Sequence, residues 1–576
     1  MKRRARHRLG WLGSSCLVLL GCTQLEDPNQ SFASAGAAGG LSSGGAAAGQ
    51  LGAGGAGSSG VGGSIALTAG SAGVAGQHAM AGDGGAPDTD CVDEGAFHGL
   101  GCYRCAPTDI STLENACTSA TCTRFDDAKR LTLLGKDGKL PPLPVGSGGA
   151  GGSAGSAGAG GSAGAPGGSA GASGGTAGAP GTGKACADLA TKPGNTVVYI
   201  TGSSAAKPFL EQVAQQLVDQ KIYIVYESTG SCVGVDAVVN GTPMTTGPAA
   251  PALSATYWDS SASTGVACDL PAEGVKADIG ASDVFAQSCA GFELAPLDSV
   301  RDAHGPIQTM TFAVPTNSPH YEISAEAAYF AFGFGASGGV HDAAGTVIWN
   351  DETYLFKRSA TSGTQVMLAA AIGVPAGVWK GKGNKGSDDV ALALQTAGKK
   401  QETGNAALGI LAADYIITKN LSSTVRVLAF QDSAQHCAVY PDSTLDARDK
   451  LNVRDGHYPI WGPLHLLLRL DAQGNPGNTQ NRQAVTDIVG YLSGTKALPN
   501  GVQLLKLYAN SGLVPECAMH VTRSKDGGNI FPFKPPSPCS CLFDVKATGS
   551  TSCTPCTVQA DCAGGETCSL GYCEPQ

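Results

Sequence analysis

Residues 196–234, TVVYITGSSAAKPFLEQVAQQLVDQKIYIVYESTGSCVG, decide the class of the fold. Thr196–Thr201 and Ile222–Tyr226 are short β-branched and aromatic runs, the composition of strands, and between them Pro208–Val218 places apolar residues at helical spacing. This is one βαβ unit. The alternation continues outward, with strand candidates at Thr309–Val314, Ala407–Leu411 and Val425–Phe430. Helix candidates fall at Ala325–Phe332, Thr364–Ile372, Asp388–Thr396 and Arg482–Leu492. A stretch of about 335 residues built this way predicts an α/β region large enough for two packed lobes.

The flanks have a different character. Lys2, Arg3, Arg4, Arg6 and Arg8 precede the apolar run Leu17–Leu20, and Gly21-Cys22 follows, which reads as a secretory leader too short for a membrane span. Leu19-Leu20-Gly21-Cys22 resembles the lipobox of bacterial lipoproteins. That resemblance implies lipidation of Cys22 and an anchor in the cell envelope, with Thr23 rather than Asp favouring the outer membrane or its periplasmic face. Ser31–Pro87 and Gly146–Gly183 are dominated by Gly, Ala and Ser and cannot bury a core. As flexible coils they would span about 40 and 35 Å. The expected organisation is a leader at 1–21, a tether at 22–88, a small Cys-rich module at 89–145 and a linker at 146–184. A two-lobed domain at 185–520 and a C-terminal Cys-rich module at 521–576 follow.

The chain has 37 basic and 47 acidic residues, and the five basic residues of the leader do not belong to the mature surface. So acidic a balance excludes an electrostatic nucleic-acid binder and predicts no nucleic-acid partner. Of 20 cysteines, setting aside Cys16 in the leader and Cys22 at the anchor leaves 18 in an exported chain, where disulfides are the default. Cys91, Cys102, Cys105, Cys117 and Cys122 are odd in number and need a sixth partner, Cys186 for instance; a zinc site on Cys102, Cys105, Cys117 and Cys122 is the competing reading. From Cys517 onward there are eight cysteines, and sequence alone cannot choose their pairing.

Three segments look like loops that open helices: Gly202-Ser203-Ser204-Ala205-Ala206-Lys207-Pro208, Ser228-Thr229-Gly230-Ser231-Cys232-Val233-Gly234 and Arg358-Ser359-Ala360-Thr361-Ser362-Gly363-Thr364. The first backbone N–H groups of a helix have no internal partner and the dipole is positive there, so converging helix starts can cage an oxyanion. With Ala277-Asp278-Ile279-Gly280-Ala281-Ser282-Asp283 they form an ordered set. GSSxxKP, STGS, ADIGASD and RxxxSGT in that order resemble the phosphate-binding proteins of bacterial phosphate importers, a branch of the type 2 periplasmic binding proteins. Gly404-Asn405-Ala406-Ala407-Leu408-Gly409-Ile410 and Tyr458-Pro459-Ile460-Trp461-Gly462-Pro463-Leu464 extend the resemblance over about residues 196–515.

The resemblance implies that Ser231 holds one phosphate oxygen and that Asp283 accepts a proton from the ligand. It implies that Arg358 forms charge-assisted hydrogen bonds and that Ser362, Gly363 and Thr364 add donors at a helix start. An ionised Asp283 favours phosphate, which carries a hydrogen at neutral pH, over sulfate, which does not. The first loop departs from the family: Ala206-Lys207 stands where many members have Thr-Phe, so Lys207, Ser203 or Ser204 would have to compensate. The expectation is a non-catalytic, cofactor-free phosphate binder without a metal site, closing about a hinge where chain crosses twice, with an ABC importer permease as a candidate partner. A surface protein whose lobes and Cys-rich modules bind a partner is the alternative. A phosphoesterase has thin support, since there is no HExxH and no evident metal cluster.

Overall fold

A computed structural model describes residues 91–144, 185–245, 255–259, 265–290, 292, 299–476 and 480–575. The leader, Cys22 and both Gly/Ala/Ser-rich stretches lie outside the described residues. Among the described residues no helix is long and apolar enough to cross a membrane.

The first βαβ unit is present, with β1 (Thr196–Gly202) and β2 (Ile222–Ser228) parallel and joined by α1 (Lys207–Leu217). Pro208 sits in the first turn of α1, where a missing N–H costs nothing. Pro208, Phe209, Leu210, Val213, Ala214 and Leu217 form its buried stripe. The remaining strands of the main sheet are β3 (Ala255–Tyr257), β4 (Val266–Cys268), β5 (Ile279–Ser282), β6 (Val300–Pro315), β7 (Leu355–Lys357), β8 (Lys382–Gly383), β9 (Leu408–Ala412), β10 (Val425–Val427) and β11 (Trp461–Arg469). These eleven strands run in the order β8-β7-β9-β6-β11-β5-β1-β2-β3-β4, with β10 also paired to β6.

Two strands belong to both lobes. β6 pairs with β11 from Val300 to Thr309, then with β9 from Met310 to Ala313 and with β10 from Ala313 to Pro315. β11 in turn pairs with β5 through His465, Leu466 and Leu467. Between the pairs Pro463–Ile307 and His465–His304 the register shifts, so Gly305 and Pro306 face Leu464 alone. That bulge bends the strand pair between the lobes. On one side Val198, Ile200, Leu210, Ile224, Leu466 and Val485 share a core; on the other Phe312, Phe330, Met367, Leu408 and Ile410 share a larger one. The α/β class and two lobes expected from the sequence are therefore present.

The expected strand Val425–Phe430 divides. β10 stays in the main sheet, whereas Ala429–Gln431 joins a separate four-stranded sheet beside Glu322–Ser324, Ala438–Val439 and Cys122–Thr123. Cys122–Thr123 comes from the N-terminal Cys-rich segment, and Phe125, 1% exposed, is buried in the larger core. Arg130 lies over the Phe125 ring and meets Glu322 at 2.7 Å. The C-terminal end also docks: Asp526 accepts from the Phe285 amide at 2.9 Å and from the Ser288 hydroxyl at 2.7 Å.

All cysteines from Cys91 onward are paired. The sixth partner of the N-terminal group is Cys437, not Cys186, because strand pairing puts Cys122 5.6 Å (Cα–Cα) from Cys437; Cys186 instead bonds Cys268. The bridges Cys91–Cys105 and Cys102–Cys117 occupy the thiols that the zinc reading required. The eight later cysteines pair as Cys517–Cys539, Cys541–Cys553, Cys556–Cys568 and Cys562–Cys573. The last bridge, Cys232–Cys289, closes 57 residues. It ties the first turn of α2 (Ser231–Val239) to the chain beyond β5. Replacing both by alanine should lower the unfolding free energy in urea by about 4 kcal/mol, as expected for a loop of this size; an unchanged midpoint would contradict that role.

Candidate anion-binding site

Three helices begin at the junction between the lobes. α2 starts at Ser231, α4 (Gly363–Ile372) at Gly363 and α5 (Ser387–Ala397) at Ser387, while α3 (Ala325–Phe334) packs further back in the second lobe. The lobes touch directly, since the Cys232 amide donates to the Thr361 carbonyl at 3.0 Å. Gly230 turns the chain into α2 at φ +132, a conformation that favours glycine, and a Cβ there would lie 3.1 Å from that same carbonyl.

Arg358 follows β7 and is 2% exposed. Its Nη1 donates to Ser204 Oγ at 3.0 Å and to Ser387 Oγ at 3.1 Å, and its Nη2 to the Lys385 carbonyl at 2.9 Å. One guanidinium thus joins the first lobe to the second. Its Nε is buried with no hydrogen-bond partner. The Arg358 amide is fixed by Gln365 Oε1 at 2.8 Å, from the first turn of α4.

Asp283, directly after β5, is also 2% exposed. Its Oδ2 accepts from Ser231 Oγ at 3.1 Å, and its amide donates back to the same oxygen at 3.1 Å. Oδ1 has no partner of hydrogen-bond geometry. Burial pushes the carboxyl up to about 6, against the opposing pull of the Ser203 and Ser231 hydroxyls and the charges of Arg358 and His465. Gly363 closes the space: a Cβ on it would fall 2.2 Å from Ser231 Oγ and 2.8 Å from Asp283 Oδ2.

The structure therefore brings Ser231, Asp283 and Gly363 into one cluster and Ser204 and Arg358 into another, the two linked by the mutual charge of Asp283 and Arg358. Ser362 and Thr364 flank Gly363 and are buried. Of the two serines in the first loop, Ser204 meets Arg358, whereas Ser203 Oγ accepts from the Ala205 and Ala206 amides at 3.1 and 3.2 Å. The Ala206 methyl lies in the core of the first lobe, so neither its side chain nor its amide is free for a ligand. Lys207 stands half-buried at the edge of a cleft of about 1150 Å³. The cleft is also lined by Lys382, Lys385, Lys399 and Lys400, with Asp388 and Asp389 among them. Five lysines on one concave wall concentrate anions locally despite the acidic chain.

Two further residues escaped the sequence reading. Ser387 Oγ completes the Arg358 hydrogen bonds and lies 3.1 Å from Ser204 Oγ. Asp414, in α6 (Ala413–Thr418), is buried, and burial together with the charge of Asp283 raises it to about 8. Cys232 is bonded to Cys289 and offers no thiol nucleophile. Gly363→Ala should cost about 1–3 kcal/mol through overpacking against Ser231 and Asp283, read by urea unfolding; a neutral substitution would show that the approach is loose.

No family model matches the chain, and no curated protein matches it. Solved structures do. An ABC-type phosphate transport receptor from Vibrio cholerae is 13% identical, covering 56% of this chain and 100% of its own at a TM-score of 0.33. A phosphate binding protein from Stenotrophomonas maltophilia is 12% identical over 56% of this chain and 90% of its own, at 0.32. The regulatory domain of Synechocystis CcmR, in complex with 2-PG, is 9% identical over 53% and 98%, at 0.29. At such identities and scores these chains are similar to this one in outline only, and the nature of the ligand has to be read from the side chains between the lobes.

Proposed function

We propose that the chain is a non-catalytic envelope protein that binds inorganic phosphate between its lobes, for uptake or sensing, with Ser204, Ser231, Asp283, Arg358, Ser362, Gly363 and Thr364 around the anion and Lys207 at the rim. Lipid anchoring at Cys22 and delivery to an importer permease belong to the same reading. The observation that carries it is the opposition of two buried charges, each with an orphaned atom: Arg358 Nε and Asp283 Oδ1. An arginine and three helix starts suit a tetrahedral anion. A carboxylate beside them tolerates only an anion that brings its own proton. Phosphate does so and sulfate does not.

Because its folded pKa lies above the ordinary value, ionisation of Asp283 costs stability, a cost that sets in as pH rises from about 4 to about 6. At pH 7 the ionised carboxylate has the Ser203 and Ser231 hydroxyls beside it, and a hydrogen on the ligand adds a donor for Oδ1. Calorimetric titration of the full chain at pH 7.5 should show one phosphate bound and sulfate ignored. Ser231→Ala should weaken phosphate by about 1.5–3 kcal/mol, the range for a hydrogen bond to a charged group, and Arg358→Ala should abolish binding. As pH falls through about 6, Asp283 becomes a donor and the preference over sulfate should narrow. Equal affinity for both anions at pH 7.5, or a preference unchanged down to pH 5, would count against the role of Asp283.

A further inference from the structure

The crossover strands carry a second cluster of ligating side chains, next to the anion site. Asp302 and His304 are two residues apart on β6 and so project from one face, and His465 on β11 is the cross-strand partner of His304. Asp302 Oδ2 lies 2.7 Å from His465 Nδ1 and 3.8 Å from His304 Nε2. One ligand atom from each of the three residues falls within 4.8 Å of the others. The two imidazole rings are 4.9 Å apart and nearly perpendicular, and Phe285 packs edge-on against His465 at 4.4 Å. His465 is fully buried, whereas Asp302 and His304 are exposed, so the cluster has an apolar floor and an open mouth.

We infer that Asp302, His304 and His465 form a site for a divalent transition-metal ion of the Zn2+ type. Two imidazoles and a carboxylate are the nitrogen and oxygen set such an ion takes, while Mg2+ and Ca2+ prefer oxygen alone. Tetrahedral ligands with bonds of about 2.0–2.1 Å stand roughly 3.3 Å apart. The observed 2.7 and 3.8 Å straddle that value, so small side-chain rotations suffice. Glu516 adds a further negative charge near His304. His465 Nε2 is buried without a partner, and the ring lies close enough to Asp283 and Asp526 for their charges to act on one another. The competing arrangement is a simple ion pair, in which His465 Nδ1 donates to Asp302.

The placement gives the ion a mechanical role. His304 and His465 form the cross-strand pair on one side of the bulge at Gly305–Pro306, so an ion held between them cross-links β6 to β11 beside that bulge. This inference does not depend on what binds at Arg358.

The test is titration of the full, oxidised chain with Zn2+ in phosphate-free buffer, followed by calorimetry and by thermal unfolding. One Zn2+ should bind and raise Tm. His304→Ala and Asp302→Asn, both at exposed positions, should keep the metal-free Tm and weaken Zn2+ by about tenfold or more, at least what loss of an outer-shell partner costs. His520→Ala, which disrupts the His520–Asp455 pair elsewhere, should leave Zn2+ binding unchanged. Failure to bind Zn2+, binding unaffected by His304→Ala and Asp302→Asn, or an equal response to Mg2+ would overturn the site.

Discussion

A guanidinium buried between two lobes is the constraint on which this structure depends. Arg358 cannot lose its charge, and a charge so deeply enclosed is tolerated only with close partners. It takes them from both sides: Ser204 from the loop after β1, the Lys385 carbonyl from the loop before α5 and Ser387 from the first residue of α5. The hydrogen bonds that satisfy Arg358 are thus the bonds that hold the lobes together at the site. Asp283 supplies the opposite charge without meeting it in a direct ion pair, and each group has a buried polar atom without a hydrogen-bond partner.

The rest of the fold positions these groups. β5 and β7 deliver Asp283 and Arg358 at their C-terminal ends, and α2, α4 and α5 begin after β2, β7 and β8 respectively. Cys232–Cys289 pins the start of α2 one residue beyond Ser231. The two crossover strands tie the lobes through continuous backbone, with a bulge opposite Leu464. The terminal cysteine-rich segments add to this frame: Cys122–Cys437 staples the N-terminal segment to the second lobe, and Asp526 holds the chain that follows Asp283.

Much of the site was legible in the sequence because its loops are local. A strand, a Gly-Ser turn and a helix start are contiguous, so Ser231, Asp283, Arg358 and Gly363 could be read from short motifs. Ser387 is less visible: it lies 29 residues after Arg358, and its only signal is a Gly-Ser-Asp-Asp run ahead of an apolar repeat, an ordinary helix start. β11 was missed as a strand because Pro463 interrupts it and both faces are buried, which removes the alternation a half-exposed strand would show. The split of Val425–Phe430 was invisible, since one β-branched run carries no mark of where it changes sheets. Asp302, His304 and His465 could not be grouped either, because only antiparallel pairing across the bulge brings residues 163 apart into one cluster.

A crystal structure of the full chain grown with phosphate tests the central claim most directly. A tetrahedral anion should lie between the lobes, within hydrogen-bond reach of Arg358, Ser231 and the Gly363 amide, with one oxygen set against the carboxylate of Asp283. Phosphate found only among the lysines of the outer cleft, or absent while Arg358 and Asp283 keep their present partners, would contradict it.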